Sequence, residues 1–357
     1  MRSANVVPDR PTGVRKFADM RNRGLGPVLL LLALCIALFL VHLLVGSVDI
    51  PASAVWSGLV GGSSGTFDRI IREVRLPGAI TSLVAGGGLA ASGLLMQTLF
   101  RNPLAGPSVM GLSSGASLGV ALLMLAQPLW TGLVLPHDLT LVIASMAGSV
   151  LVLLLILLAD RRLGDAVTLL IVGLMVGYLC SALISVLQVA SPAAALKGFV
   201  LWGMGSFSGV GLDRLPWLVV PVLLGLLGAL LLVKPLNALL LGTEQAASLG
   251  VDVPATRQRV MWITGILAGT VTAFCGPIAF LGLATPHVAR GLLRTSDHAP
   301  LMPVTMLLGA CLALFCDILC RLPSVGGALP LNAVTSLLGA PVVVWVLLHG
   351  KRWSRAA

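Results

Sequence analysis

Charge is scarce in this chain. Asp, Glu, Lys and Arg make up 10% of the 357 residues, hydrophobic residues 57%, and the mean hydropathy is +1.02. A soluble globular domain carries about 25% charged residues, so this composition is built for a bilayer rather than for water. In hydrocarbon every backbone donor and acceptor must be satisfied within the chain, which leaves helical bundles and closed barrels. Ten-residue alternating segments are lacking and long apolar runs stand in their place, which excludes the barrel. Also lacking is a Gly-x-x-x-x-Gly-Lys-Ser/Thr phosphate loop: the one Gly-Lys pair, Gly350-Lys351, is followed by Arg352. Any ATP chemistry coupled to this chain therefore belongs to a partner. No cysteine lies outside an apolar run; Cys35, Cys180, Cys275, Cys311, Cys316 and Cys320 read as small apolar thiols rather than as a disulfide framework. Cys316 and Cys320 stand four apart around Asp317, a spacing that can put two thiolates on one helical face. Helix packing explains it more simply, and no metal or cofactor is expected. The net charge of +10 lacks the soluble basic face that nucleic-acid binding requires, so it is read as topology.

What is present is a series of apolar stretches. Residues 1–26 form a polar, basic tail, expected to be cytoplasmic, and 27–350 a transmembrane domain that opens on an uncleaved helix over 27–48. A second cytoplasmic tail follows at 351–357. Further stretches of spanning or near-spanning length lie at 75–99, 108–125, 140–159, 167–188, 216–234, 259–276, 277–293, 302–320 and 329–348. The expectation is an all-α, polytopic membrane protein of about ten transmembrane helices, with both termini cytoplasmic. On that topology 17 of the 23 basic residues fall inside, leaving Arg69, Arg72, Arg75, Lys197, Arg214 and Arg321 outside. Trp56, Trp130, Trp202, Trp217 and Trp345 fall near helix ends or loops, where interfacial anchors belong.

Several segments carry candidate function. The hydrophilic stretch 236–258 lies on the cytoplasmic side of this topology. Within it Thr243 can cap a short helix, Glu244 in the first turn suits the positive dipole end, and Gly250 can take the left-handed stop. A short capped helix exposing Ala and Leu reads as a docking element, an interhelical loop being the plainer reading. Gly111-Leu112-Ser113-Ser114-Gly115 matches a nucleophile-elbow pattern, with His287 as a conceivable partner, but it opens a helix where that chemistry requires a strand-to-helix turn. His287 and His298 are expected to make structural hydrogen bonds at the membrane boundary, and Asp317 and Arg321, four apart, to pair within one helix. Ala85, Gly86, Ala90, Gly93 and Pro103 recur at a constant offset as Ala268, Gly269, Ala273, Gly276 and Pro286, compatible with an inverted repeat or with ordinary glycine-rich packing. Arg69, Arg72 and Arg75, three apart, would share one face of a helix on the side where arginine should be scarce.

Taken together, Arg75-Leu76-Pro77, the run from Gly93 to Ala105, Ser113-Ser114-Gly115-Ala116, Trp202 to Phe207, Gly276 to Leu283, Pro286 to Arg290, Asp297-His298 and Leu337 to Pro341 resemble the permeases of type II ABC importers that carry iron-siderophore complexes, haem and cobalamin. The similarity covers nearly everything after residue 48. It implies two permease subunits, identical or paralogous, two cytoplasmic ATPases, and a periplasmic substrate-binding protein. It implies that Leu239 to Val251, with Leu241, Glu244, Ala246, Ala247, Leu249 and Gly250, seats on the ATPase. Asn102 and Leu104 match one cytoplasmic gate, and Asp165, Ala166 and Val167 match a second less closely. Arg75 and Arg321 match positions that receive the binding protein, although Gly78 stands where a cobalamin-importing member has a further arginine. The function implied is ATP-driven import of an iron chelate, haem or cobalamin across the inner (plasma) membrane by a subunit that is not itself an enzyme. An ion-coupled secondary transporter is the main alternative, and an intramembrane serine hydrolase a weaker one.

Overall fold

The fold is taken from a computed structural model, which describes residues 13–46, 48, 50–53, 55, 56, 65–126, 137–163, 165–322 and 329–349. Trp130, the first twelve residues and the 351–357 tail lie outside them. Among the described residues the long elements are all helices: α1 (Gly13–Leu44), α2 (Thr66–Leu99), α3 (Leu112–Leu125), α4 (His137–Leu163), α5 (Ala166–Ala190), α6 (Ala193–Gly203), α7 (Leu215–Leu231), α8 (Val233–Leu241), α9 (Thr243–Ser248), α10 (Val253–Cys275), α11 (Leu281–Leu293), α12 (His298–Arg321) and α13 (Leu331–His349).

Every apolar stretch expected to be helical contains a helix, and the all-α class stands. Not every one is a full span. Five helices (α2, α4, α5, α12 and the Gly26–Leu44 part of α1) are long and apolar enough, and α7 with α8, bent by 49°, would make a sixth. At 1.5 Å per residue, the 14 residues of α3 and the 13 of α11 reach about 20 Å, short of the roughly 30 Å of hydrocarbon. α10 is long enough but carries Arg257 and Arg259. α6 escaped the sequence reading because it is only 11 residues long and contains Lys197. α1 begins at Gly13, well before its apolar run, and continues through Pro27.

α2 is the axis of the bundle, with α1, α7, α10, α11 and α12 packed around it. Its glycines explain how closely they come. A Cβ on Gly86 would lie 2.3 Å from the carbonyl oxygen of Gly309 on α12, and one on Gly93 would lie 1.7 Å from that of Gly282 on α11. These crossings are backbone against backbone, which only small residues permit. The hydrolase reading fails in this setting. Gly111, in the left-handed region at φ 73°, opens α3 rather than a strand-to-helix turn, and His287 bonds to the Pro103 carbonyl. The residue match behind the suggested repeat is not kept along its whole length: Gly93 lies inside a helix while Gly276 follows one at φ 74°, and Pro103 is in a loop while Pro286 is inside α11.

Candidate coupling, gating and docking sites

The segment joining α8 to α9 turns at Gly242, whose φ of 129° lies outside the range of ordinary side chains. Gly242, not Thr243, occupies the cap position, and Thr243 is the first helical residue. α9 ends as expected. Gly250 turns left-handed at φ 84°, the Val251 N–H donates to the Ala246 carbonyl (3.0 Å) and the Gly250 N–H to that of Ala247 (2.9 Å), a Schellman stop. The six residues named for this segment divide between two faces. Ala246 is fully buried and cannot touch a partner, whereas Leu241 and Leu249, each 64% exposed, stand with Glu244, Ala247 and Gly250 on the outer face.

Behind that face hydrogen bonds lead to the loop after α2. Arg101, at an unusual φ of 47°, donates from Nη2 to the Leu239 carbonyl of α8 at 3.0 Å. Next to it the Asn102 side chain accepts from the Leu104 N–H at 2.9 Å, and Leu104 projects outward. From the other side the His287 ring donates to the Pro103 carbonyl at 2.7 Å. Gln97 donates to the Leu283 carbonyl at 3.0 Å and accepts from Arg290 at 2.6 Å. A second tie runs through Asn237 on α8, whose Oδ1 accepts from both the backbone N–H and the ring Nδ1 of His298, each at 2.8 Å. The same ring meets Thr98 Oγ1 on α2 at 2.8 Å, and Asn237 donates to Asp297 at 2.6 Å. Loop 101–105 is thus held between the α8–α9 segment and α11. His287 and His298 make the structural bonds foreseen for them, while Arg101 and Asn237 went unrecognised because their partners lie 138 and 61 residues away.

Asp165 to Val167 stand apart from this loop at the start of α5. Asp165 caps the helix through the Thr168 N–H (2.8 Å) and hydroxyl (2.7 Å), Ala166 is its first residue, and Val167 is 64% exposed. A short 3-10 turn, Pro107–Met110, follows loop 101–105 and packs on α5 further along, where a Cβ on Gly173 would lie 2.9 Å from the Val109 carbonyl.

At the opposite end Arg69, Arg72 and Arg75 do not share one face, as a regular helix would have them do. α2 passes through a π-turn at Ile71–Arg75, and that wider turn rotates Arg75 away from Arg69 and Arg72. Arg69 and Arg72 stay outside, Arg69 facing Glu73 at 3.2 Å, while Arg75 is buried. Its guanidinium donates to the carbonyls of Leu43 (2.8 Å), Leu44 (2.7 Å) and Val48, tying down the end of α1. Arg321 pairs with Asp317 at 2.8 Å as its spacing foretold, and its Nη2 also reaches Ser208 at 3.0 Å. It lies over Gly78, where a Cβ would come within 2.5 Å of the guanidinium. Asp317 additionally holds His42 at 2.6 Å and Ser82 at 3.3 Å, so one carboxylate joins α1, α2 and α12. In this conformation both arginines have internal work, and direct docking through Arg75 would require it to leave three carbonyls. His42 was missed because a lone histidine in an apolar run gives no sign of a partner 275 residues away. Among the described residues no His, Cys, Asp and Glu group suited to a metal is found.

Comparisons with known proteins place the fold in a family. The sequence profile of the FecCD transport family matches residues 33–349. The vitamin B12 import system permease protein BtuC of Klebsiella pneumoniae is 36% identical over 282 residues, covering 79% of this chain and 83% of that protein. BtuC of Salmonella paratyphi A is 34% identical over 318 residues, covering 89% and 95%. A solved inward-facing structure, described as a metal-chelate type ABC transporter, superimposes with a TM-score of 0.78 at 30% identity, covering 91% of this chain and 99% of that one. With the profile spanning almost the whole helical bundle, the chain belongs to the FecCD transport family and is a multi-pass membrane permease subunit of an ABC importer, not an enzyme.

Proposed function

We propose that this permease imports a large metal chelate, with a corrinoid such as vitamin B12 as the first candidate and an iron-siderophore complex or haem as the others. The observation that carries the mechanism is the hydrogen bond from Arg101 to the Leu239 carbonyl, which joins the exposed α8–α9 face directly to loop 101–105. Leu241, Glu244, Ala247 and Leu249 are the surface that seats on an ATPase. Movement of that surface on nucleotide binding would pull on Arg101 and so on Asn102 and Leu104, which act as a gate at the cytoplasmic end, with Asp165 to Val167 as a second. The substrate preference is supported by relatives that are named for vitamin B12 over most of their length. A second permease copy or paralogue completes the path, a periplasmic binding protein delivers the cargo, and both termini face the cytoplasm of an inner-membrane protein.

Ion-coupled transport has less support. It would need a carboxylate available to a coupling ion, and Asp317 already holds Arg321 and His42. The deciding experiment uses proteoliposomes containing the permease, its ATPase and its binding protein. Cobalamin uptake that requires ATP supports the proposal; uptake driven by a proton or sodium gradient without ATP defeats it. If only ferric siderophore or haem accumulates, the importer reading stands and the corrinoid assignment falls. The absorbance spectrum of the ligand bound to the cognate binding protein gives the same answer independently.

A further inference from the structure

Away from the gate, α4, α7 and α10 enclose an apolar groove of about 270 Å³. Ser149, Gly265 and Gly269 form its floor, and Val150, Leu224 and Trp262 stand at its rim. Val150, Leu224 and Trp262 are 43%, 63% and 43% exposed, so the groove opens on the outside of the chain. In a membrane protein, that outside is covered either by lipid or by another subunit.

Its charged end distinguishes the two. α4 and α10 run antiparallel, and below the groove they are clamped by Arg257 and Asp160 at 2.9 Å. Among the arginines that this clamp brings to the same end are Arg161, next to Asp160, and Arg259, two residues beyond Arg257, both exposed. Among the described residues neither is paired with a carboxylate. The helical repeat aligns them with the groove. Arg259, Trp262, Ile266 and Thr270 fall on one face of α10, and Val150, Leu153 and Arg161 on one face of α4. From Arg259 to Thr270 is about 16 Å of helix, close to half of the roughly 30 Å hydrocarbon core. An apolar slot one leaflet long, with two cations at its interfacial end and an indole one turn above them, has the form of an acyl chain below an anionic headgroup.

We propose that the groove between α4, α7 and α10 is a binding site for an anionic glycerophospholipid, with one acyl chain lying between Val150, Leu224 and Trp262 and the phosphate held by Arg161 and Arg259. The small floor residues make room for the chain, and the Arg257–Asp160 pair sets the spacing of the two helices that carry the cations. The proposal does not depend on which chelate the permease carries.

The test uses the assembled permease–ATPase complex in mixed micelles containing equal phosphatidylglycerol and phosphatidylcholine, with retained lipid counted by native mass spectrometry. Wild type should keep phosphatidylglycerol in preference to phosphatidylcholine. In the double variant Arg161→Gln, Arg259→Gln that preference should fall by about thirtyfold, about fivefold for each cation at an anionic surface. Val150→Trp fills the slot from its rim and should reduce retention of both lipids while leaving the preference of any remainder unchanged. Should that variant assemble poorly, Leu224→Trp narrows the slot from α7. Equal retention of both lipids by wild type overturns the proposal, as does a preference that survives the double arginine change. Undiminished retention in a well-assembled rim variant places the lipid elsewhere and also overturns it.

Discussion

Arg75 shows how one turn of backbone can redirect a charged side chain. Read as a regular helix, residues 69, 72 and 75 present three arginines together; the π-turn at Ile71–Arg75 leaves two outside and sends the third under the end of α1. Substituting Arg75 by Ala should therefore act first on stability. Three carbonyls lose a charged donor, and a loss of about 2–4 kcal/mol is expected, read as a lower unfolding temperature in detergent. An Arg75→Ala variant of unchanged stability that no longer recruits the binding protein would favour the docking role instead. Asp317→Asn is a second residue-scale test. It keeps the shape but removes the charge that Arg321 and His42 share, and breaking a buried pair in this way costs about 3–5 kcal/mol. Wild-type thermal stability in that variant would contradict the network. The Asp317–Arg321 half of this cluster was legible in the sequence because helical spacing predicts it. The His42 and Ser82 half was not, because it is created only when α1 and α2 meet α12.

Among the elements, short helices were read with uneven success for a physical reason. α9 announces itself through Glu244, a run of small residues and Gly250, and its Schellman stop is where that pattern put it. Which side of α9 faces outward was not readable, since Ala246 and Ala247 are chemically identical and only packing separates them. Ala247→Arg should block assembly with the ATPase while the chain still inserts, because the docking face would then bury an unpaired charge. Ala246→Arg should damage the fold instead. Co-purification of the ATPase with each variant, beside a measure of inserted protein, separates the two. Arg101→Ala addresses the step from docking to gating. ATPase binding should persist, while transport per ATP hydrolysed falls by about tenfold or more, the weight of one charge-assisted bond at a moving contact. Normal coupling in that variant would move the linkage to the Asn237–His298–Thr98 tie. Gly93→Ala tests the packing axis directly: its methyl group would meet the Gly282 carbonyl, and a loss of about 3 kcal/mol is expected from overpacking that no rotamer can relieve.

At the scale of the whole molecule, α5 presents Val167, Ile171, Leu174, Tyr178, Leu179 and Leu183 outward, an apolar surface suited to lipid or to a second permease. If a second permease faces it across a shared path, cysteines at position 104 of the two copies should cross-link in some nucleotide states and not in others. Absence of the cross-link in every state would separate the Leu104 loop from the gate. The helical class and the order of the apolar stretches were legible because hydrophobic length is a property of sequence. The bend between α7 and α8 and the short α3 and α11 were not, because apolar length alone does not say where a helix bends or stops, and the crossings at Gly86 and Gly93 were not, because they depend on which glycine meets which backbone.

The central placement of α2 also sets a constraint on biogenesis. α2 is the least apolar of the five long spans, yet it is the most deeply enclosed, and α10, α11 and α12 leave the ribosome more than 150 residues after it. Until they arrive, Ser82, Ser92, Gln97 and Thr98, all buried in the finished bundle, lack the cover that those three helices give. The nascent chain therefore carries an incompletely covered axis through much of its synthesis, and shortened products are expected to be recognised through that helix. Chains ended at residue 297 should be cleared rapidly by membrane proteases, while chains ended at 322, which include α12, should persist; pulse-chase of the two truncations measures the difference. Equal lifetimes would mean that α2 is sheltered earlier, by α3 to α9 or by a host factor.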